Sequence, residues 1–477
     1  MDRFRWVFCQ LETLRHCFPP NLRQYLNELP ESLDETYERI LRGINKAQKG
    51  DARRLLQCLT VAARPLRVEE LAELLAFDFQ ATSERGIPTL KEDWRWNDQE
   101  DAVLSTCSSL IAIVRNGDSR VVQFSHFSVK EYLTSPRLAQ SHGDVSRFHI
   151  DLNVAHTILA QACLGTLLRL DEHTVNSGSK GFPLAEYAAQ HWVEHARFED
   201  VSSRVRDGMD DLFDSSKPHF AAWLHVHDMD ERWGLFSNGE RGGGGSPLYY
   251  AAMCGFHDLV ECLIMKHPEQ VNGRGGLILA PLPAAVFKRH FTVANLLYKH
   301  GAIVDVRDES DWTPLFVASK YGHVDTIRWL LNHGADLNAQ DDGSKTPIFR
   351  AVIHFQPGVV EVLLEHKPDI NLRDHLGNTP LHYALSHIDS SPGGVGLEIA
   401  QQLLECGADP NIRRHDTTPL HKASSEGLLE VARLLLSYGA KVDEKDGGGR
   451  TPFQVASSRV DHELTKLLLE HGAVPPP

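Results

Sequence analysis

Seven times in the second half of the chain a small residue precedes a proline that is followed by an apolar side chain: Ser246-Pro247-Leu248, Ala280-Pro281-Leu282, Thr313-Pro314-Leu315, Thr346-Pro347-Ile348, Thr379-Pro380-Leu381, Thr418-Pro419-Leu420 and Thr451-Pro452-Phe453. Successive prolines lie 34, 33, 33, 33, 39 and 33 residues apart. A period of this length is one supersecondary unit copied along the chain, and such units cannot bury both faces alone, so they must stack. Around each proline more of the pattern returns. An alanine follows at the same place (Ala251, Ala285, Ala318, Ala351, Ala384, Ala423, Ala456), then a Leu-Leu pair, then a Gly-Ala step as in Gly301-Ala302, Gly334-Ala335, Gly407-Ala408, Gly439-Ala440 and Gly472-Ala473.

Each element has a physical reason. Threonine is a good N-cap whose hydroxyl accepts from an unpaired backbone N–H, and proline in the first helical position loses no hydrogen bond. The small alanine lets this helix approach its neighbour, the leucines line a second, antiparallel helix, and glycine takes the left-handed C-terminal cap. The 33-residue period with these elements resembles the ankyrin repeat. The expected fold is therefore mostly α: an ankyrin-repeat solenoid of about seven repeats over residues 242–477. The histidine that usually follows Thr-Pro-Leu is present only at His382 and His421, with Tyr249, Pro283, Phe316, Phe349 and Gln454 in its place elsewhere. In the fifth unit the stretch 388–396 is expected to add about six residues as a bulging loop. Asp461, His462, Glu463 and Lys466 offer the last unit a polar outer face.

Ahead of the array the texture changes, with Gly242 to Gly245 reading as a flexible connector. Ser32 and Glu35 form a capping-box signature that opens a helix with Leu33, Tyr37, Ile40, Leu41 and Ile44 on one face. Further helices are expected over 51–63 and 68–76, then a hairpin of 110–114 and 121–124 around Asn116-Gly117-Asp118. Helices followed by a hairpin suggest a winged-helix module, and such modules often bind DNA. A DNA reader needs Arg, Lys or Asn at the groove. The helix beginning at Val68 instead carries Glu69, Glu70 and Glu73. The formal net charge of −15 repels phosphate backbones and anionic lipid as well. No nucleic acid and no membrane partner is expected, since the longest mostly apolar run, 277–287, is short and broken by Pro281 and Pro283. Eight cysteines without a CxxC suit a reduced, cytoplasmic compartment.

Arg5-Trp6-Val7-Phe8-Cys9-Gln10-Leu11, Leu29-Pro30-Glu31-Ser32-Leu33-Asp34-Glu35-Thr36-Tyr37, Phe124-Ser125-His126-Phe127-Ser128-Val129-Lys130-Glu131-Tyr132-Leu133 and Pro218-His219-Phe220-Ala221-Ala222-Trp223-Leu224 carry a second resemblance. The chain is similar to the region after the nucleotide-binding core in filamentous-fungal NACHT and ankyrin proteins, signal-transducing NTPases related to NOD-like receptors. The resemblance implies a helical and winged-helix region over 1–140, a helical connector domain over 141–241 and the array over 242–477. It also implies a relay between an ATP-dependent switch and a sensing array. No GxxxxGK[ST] loop occurs, so the NTPase core is expected to be absent. The chain is then either a standalone adaptor or the downstream part of a longer or split gene.

No catalytic, cofactor or metal site is expected. Gly242 to Gly245 lack the lysine of a phosphate cradle, and Lys466 stands where His462-Glu463 would need a second histidine to ligate zinc. His300, His333 and His471 precede glycine at helix ends, a dipole role. Ser125, His126, Ser128 and Glu131 lack an elbow motif, and a capped helix from Ser128 to Leu133 explains them. Cys254 and Cys262 read as apolar packing. What remains is protein recognition. Resemblance to other arrays points to the loop tips Arg307, Asp308, Asp311, Trp312, Asp341, Asp342, Arg373, Asp374, His375, Arg413, Arg414, His415, Glu444, Lys445 and Asp446. It points also to exposed first-helix positions Tyr250, Phe287, Val317, Lys320, Arg350, Tyr383 and Lys422, with Trp312 and Tyr383 as candidate aromatic anchors. The expected function is a non-catalytic scaffold in fungal innate-immunity or self/non-self signalling. The alternative is the sensor half of a nucleotide-switched NTPase whose P-loop domain lies upstream or in a separate chain.

Overall fold

The computed structural model describes residues 32–82, 86–117, 119–141, 143–176, 181–227, 229, 244–276, 278–386 and 394–475. The motif at Arg5 to Leu11, residues Leu29 to Glu31, Cys9, Cys17, Asp118, Gly242, Gly243 and residues 388–393 of the expected insertion lie outside them. The chain divides into two compact units, Met1–Arg232 and Trp233–Pro477.

The first unit opens with α1 (Leu33–Gly43), capped by Ser32 Oγ accepting from Glu35 N at 3.2 Å. Then come α2 (Lys49–Val61), β1 (Leu66–Arg67), α3 (Val68–Leu75), β2 (Phe77–Thr82), β3 (Pro88–Leu90), α4 (Gln99–Cys107), β4 (Ile111–Asn116) and β5 (Ser119–Phe124). The wing is a three-stranded antiparallel sheet in the order β1-β5-β4, with Val122 between Leu66 and Ile113. α5 (Phe127–Leu133) and α6 (Pro136–Gln140) follow.

Three expectations change here. The helix directly before the wing is α4, carrying Glu100 and Asp101, whereas α3 was the one weighed as a DNA reader. Glu70 and Glu73 of α3 are not on a surface at all: they are buried and ion-paired. The cap of α5 is His126, whose Nδ1 accepts from Ser128 N at 3.3 Å; Ser128 itself bonds His126 and the Tyr37 hydroxyl. The β2–β3 hairpin was not foreseen, and its support is distant in sequence. Gln161 and Arg169 donate to the carbonyls of Gly86 and Leu90 at 3.0 Å.

The helices after the wing are α7 (Leu152–Leu167), α8 (Glu172–Asn176), α9 (Ala185–Ala196), α10 (Val201–Arg204), α11 (Arg206–Leu212) and α12 (His219–Val226). Trp192 and Trp223 are fully buried with ring centroids 5.5 Å apart, and Phe213 completes the cluster. Glu73 accepts from Leu184 N at 2.7 Å, tying α3 to the start of α9. Burial raises the Glu73 carboxyl despite that bond and Arg95. On the same helix burial is overcome at Glu70, where Arg64 and the Arg67 backbone hold it below the ordinary range. A chain of polar groups, buried at its centre, runs from Ala63 N to the Tyr187 hydroxyl (3.1 Å), to His195 (2.8 Å), to His156 (3.0 Å).

The second unit is seven helical hairpins: α13/α14 (Pro247–Cys254, His257–Lys266), α15/α16 (Pro281–Phe287, Phe291–Lys299), α17/α18 (Pro314–Tyr321, Val324–Asn332), α19/α20 (Pro347–Ile353, Pro357–Glu365), α21/α22 (Pro380–Ser386, Val395–Glu405), α23/α24 (Pro419–Glu426, Leu429–Ser437) and α25/α26 (Pro452–Ser458, His462–Glu470). First helices pack on first helices and second on second, and every repeated alanine is buried. Gly245 is buried, and a side chain there would meet the Tyr249 ring at 2.3 Å, so the described end of the glycine run is a packing position rather than a hinge. In the fifth unit proline and closing glycine are 27 residues apart (Pro380 to Gly407) against 20 in the sixth (Pro419 to Gly439). Seven residues are therefore inserted, and the next turn is shorter.

Candidate protein-binding surface

The loops between hairpins are built by one aspartate. Asp308, Asp341, Asp374 and Asp446 each accept on Oδ1 from the backbone N–H groups two and four residues on, at 2.8–2.9 Å. A carboxylate with several lone pairs suits two converging donors. These aspartates were expected as partner-facing tips; Asp341, Asp374 and Asp446 are instead buried, their charge engaged in holding the turn. The turn before the sixth unit has no such aspartate and closes through Arg414 and Thr417, with His415 and Asp416 at φ of 44° and 60°. A second ladder links the units: Asn272, Asp305, Asn338, Asn371 and Asn411 each accept a backbone N–H of the following unit at 2.8–3.0 Å.

The helix starts explain the Thr-Pro-Leu-His signature. His421 Nδ1 faces Thr418 Oγ1 at 2.7 Å and Thr418 N at 3.3 Å, and Gln454 Oε1 accepts from Thr451 N at 2.9 Å. His382 does the same for Thr379. Where phenylalanine replaces histidine, at Phe316 and Phe349, the hydroxyls of Thr313 and Thr346 are buried without a partner. At the second-helix ends, His333, His366 and His471 bond the carbonyl four residues earlier, at 2.7–3.0 Å.

Exposure of the first helices differs from expectation. Tyr250, Phe287 and Val317 are buried, at 3%, 5% and 1% exposure, covered by the stack in the first three units. Lys320, Arg350, Tyr383 and Lys422 are half-buried. Trp312 joins them: the Arg350 guanidinium lies 4.3 Å and the Lys320 ammonium 5.4 Å from its ring, and Phe316 stacks at 6.4 Å. Arg350 also pairs with Asp341. Tyr383 donates its hydroxyl to Asp374 Oδ2 at 2.7 Å and packs edge-on to Phe349, while Lys345 stands 3.6 Å from the same carboxylate. Burial and Asp374 push the Tyr383 hydroxyl up to about 12. Lys422 donates to Ser386 Oγ at 2.7 Å. Three successive units thus share one fixed cation–aromatic surface.

The remaining tips make other contacts. Arg307 donates to Gln340 O, Arg413 pairs with Glu444 at 2.6 Å, and His375 bonds Asp342 O. Asp311, Asp342, Arg373, His375, Arg413, His415 and Lys445 are exposed, while Arg307, Asp308, Arg414 and Glu444 are half-buried. Lys345, absent from the expected set, was missed because nothing in sequence shows it reaching Asp374. His257, Asp258 and Glu261 bring ligand-type atoms within 4.8 Å of one another on an exposed helix start. Cys58 and Cys107 are buried with thiols pushed up to about 12. Cys254 is buried and Cys262 half-buried.

A family model described as ankyrin repeats in three copies matches residues 248–341, 340–414 and 391–476. One described as the winged helix domain of GPI inositol-deacylase matches 37–146. The fold is an ankyrin-repeat solenoid preceded by a winged-helix domain. Azaphilone pigments biosynthesis cluster protein L of Monascus ruber is similar to this ankyrin-repeat chain at 32% identity over 290 residues, 56% of the chain and 59% of that protein. The chain thus spans less than two thirds of that relative. Human ankyrin repeat and SOCS box protein 16 is 40% identical over 86 residues, 16% of this chain and 18% of its own. The crystal structure of the ankyrin repeat domain of Bcl-3 is similar at 29% identity and a TM-score of 0.42, covering 48% of this chain and 99% of that one. Among the described residues no helix is long and apolar enough to cross a membrane.

Proposed function

We propose that the chain is a non-catalytic, cytoplasmic scaffold that binds a protein partner through the first-helix and loop-tip face of its ankyrin array. The setting we assign is fungal innate-immunity or self/non-self signalling, as the resemblance to fungal NACHT and ankyrin proteins implies. The observation that carries the reading is the surface at Trp312, Lys320, Arg350 and Tyr383. Its side chains are held in place before any partner arrives, which reduces the ordering cost of binding. A photo-crosslinking amino acid at position 383 of the full chain, expressed in its own host, is expected to capture a discrete protein. The same label at Glu361 on a second helix is expected to capture none, and Trp312→Ala is expected to abolish the first product. ATP turnover by the purified chain would overturn the non-catalytic reading.

A second reading, the relay half of a nucleotide-switched NTPase, is favoured by the bond from Leu184 to buried Glu73, which couples the winged helix to the helices after it. It requires an in-frame P-loop upstream or a co-purifying chain that hydrolyses ATP. Finding neither removes it.

A further inference from the structure

Charge is sorted between the two helices of the ankyrin unit. Among the described residues the first helices and their C-caps carry Lys288, Lys320, Arg350, Lys422 and Arg459, and Glu426 as their single carboxylate. The second helices run the other way on balance, with ten carboxylates against five cations; Glu361 and Glu365 on α20 and Glu398 and Glu405 on α22 have no cation beside them on their helix. In a chain of formal net charge −15, a cationic face is the opposite of what composition alone gives.

The cations are also gathered. Lys320 and Arg350, from neighbouring units, share the ring of Trp312, and no carboxylate pairs with Lys320 among the described residues. Two histidines on this face register the same field. His354 is held below its ordinary range by burial and then by Lys320 and Arg350, and His382 by burial and then by Arg414, Lys422 and Arg373. Arg350 is already paired with Asp341, so Lys320 is the open cation of the two, and a carboxylate placed there would gain a charge-assisted hydrogen bond in a half-buried site.

We propose that this face binds an extended acidic segment of a protein partner, with one carboxylate at Lys320 and another at Lys422, and with Trp312 and Tyr383 packing against the segment between them. The proposal deepens the scaffold reading and rests on it. Complementary charge also sets the encounter rate, so association slows as salt rises.

The test uses the full chain and a fluorescein-labelled 16-residue peptide of Glu and Asp with two leucines, followed by anisotropy. Saturable binding at low salt, weakened at least tenfold by Lys320→Glu with Lys422→Glu and unchanged by Glu361→Lys with Glu398→Lys, supports the assignment. An oligolysine probe is expected not to bind the first-helix face. No binding of the acidic peptide, equal losses from both pairs of reversals, or equally tight capture of heparin overturns it. Circular dichroism of the Lys320→Glu, Lys422→Glu chain must match the parent; Lys320→Ala alone, which leaves a smaller perturbation, is expected to weaken binding about threefold. If the peptide fails while the crosslinker at position 383 still captures a protein, the acidic assignment falls and the scaffold reading stands. If both fail, both fall.

Discussion

In the ankyrin array one set of interactions is used again and again, while in the first unit each stabilising contact occurs once. The aspartate turn at Asp308 is rebuilt at Asp341, Asp374 and Asp446, and the ladder of Asn272 continues to Asn411, all within about one repeat of sequence. By contrast Glu73 meets Leu184, Tyr187 meets Ala63 and Arg169 meets Leu90, groups that lie far apart along the chain. An array of near-neighbour contacts adds stability unit by unit, so damage stays local. A one-off core shares its contacts, so the loss of one large side chain is felt throughout.

The largest expected effect tests that contrast directly. Trp223 is fully buried against Trp192 and Phe213 and donates its indole N–H to Ala189 O at 3.0 Å. Trp223→Ala is expected to cost about 3–5 kcal/mol. Hydrogen exchange should then rise through α7, α9 and α12 and stay unchanged in the array. Accelerated exchange confined to α12 would break the comparison.

Acid should strike both regions through single histidines. Burial lowers His195 to about 3, with His156 and His191 adding to it, and lowers His382 to about 4. Each is neutral when folded, so its stability contribution is complete above the unfolded value near 6.5. It is lost as the pH falls from there toward the folded value. Each is expected to cost about 1.4 kcal/mol per pH unit in that window, about 2 kcal/mol at pH 5. Urea unfolding at pH 7 and pH 5 measures the loss, and His382→Gln is expected to reduce the slope of the array's transition alone.

Smaller effects separate units that look alike. Thr418→Val removes a hydroxyl that caps α23 and is expected to cost about 1 kcal/mol. Thr346→Val removes a buried hydroxyl that has no partner and is expected to be neutral or slightly stabilising. Equal effects in denaturant titrations would show that the histidine at the fourth position of the signature is not what completes the cap. Finally, Lys367 sits at φ 54° where the neighbouring units have Gly334 and Gly407. Lys367→Gly is expected to stabilise by about 0.5–1 kcal/mol, read as a rise in the array's melting temperature.

The same contrast accounts for what could be read in advance. The repeat number, the helix starts and the histidine C-caps were legible because each depends on residues within a few positions of one another. The insertion was misdivided, since the 39-residue step hides seven residues gained and a shortened turn at Arg414 to Thr417. Tyr250 and Val317 share a helical register with Arg350, Tyr383 and Lys422, and Phe287 shares one with Lys320. Side-chain chemistry alone does not say that Tyr250, Phe287 and Val317 are covered by the stack. The hairpin of β2 and β3 was missed because its partners, Gln161 and Arg169, come some eighty residues later.

The amino-acid order by itself determined a stack of helical hairpins, where each begins, and that positive side chains lie along its first helices, because these follow from local hydrogen bonding and a fixed period. Only the tertiary structure decided which of those side chains stay open. It brought Lys320 and Arg350 to one indole, turned Asp341 and Asp374 from surface charges into turn anchors, and sank Glu70 and Glu73 into a core. The reason is physical: burial and charge pairing depend on which units become neighbours, and that is settled by packing across the stack.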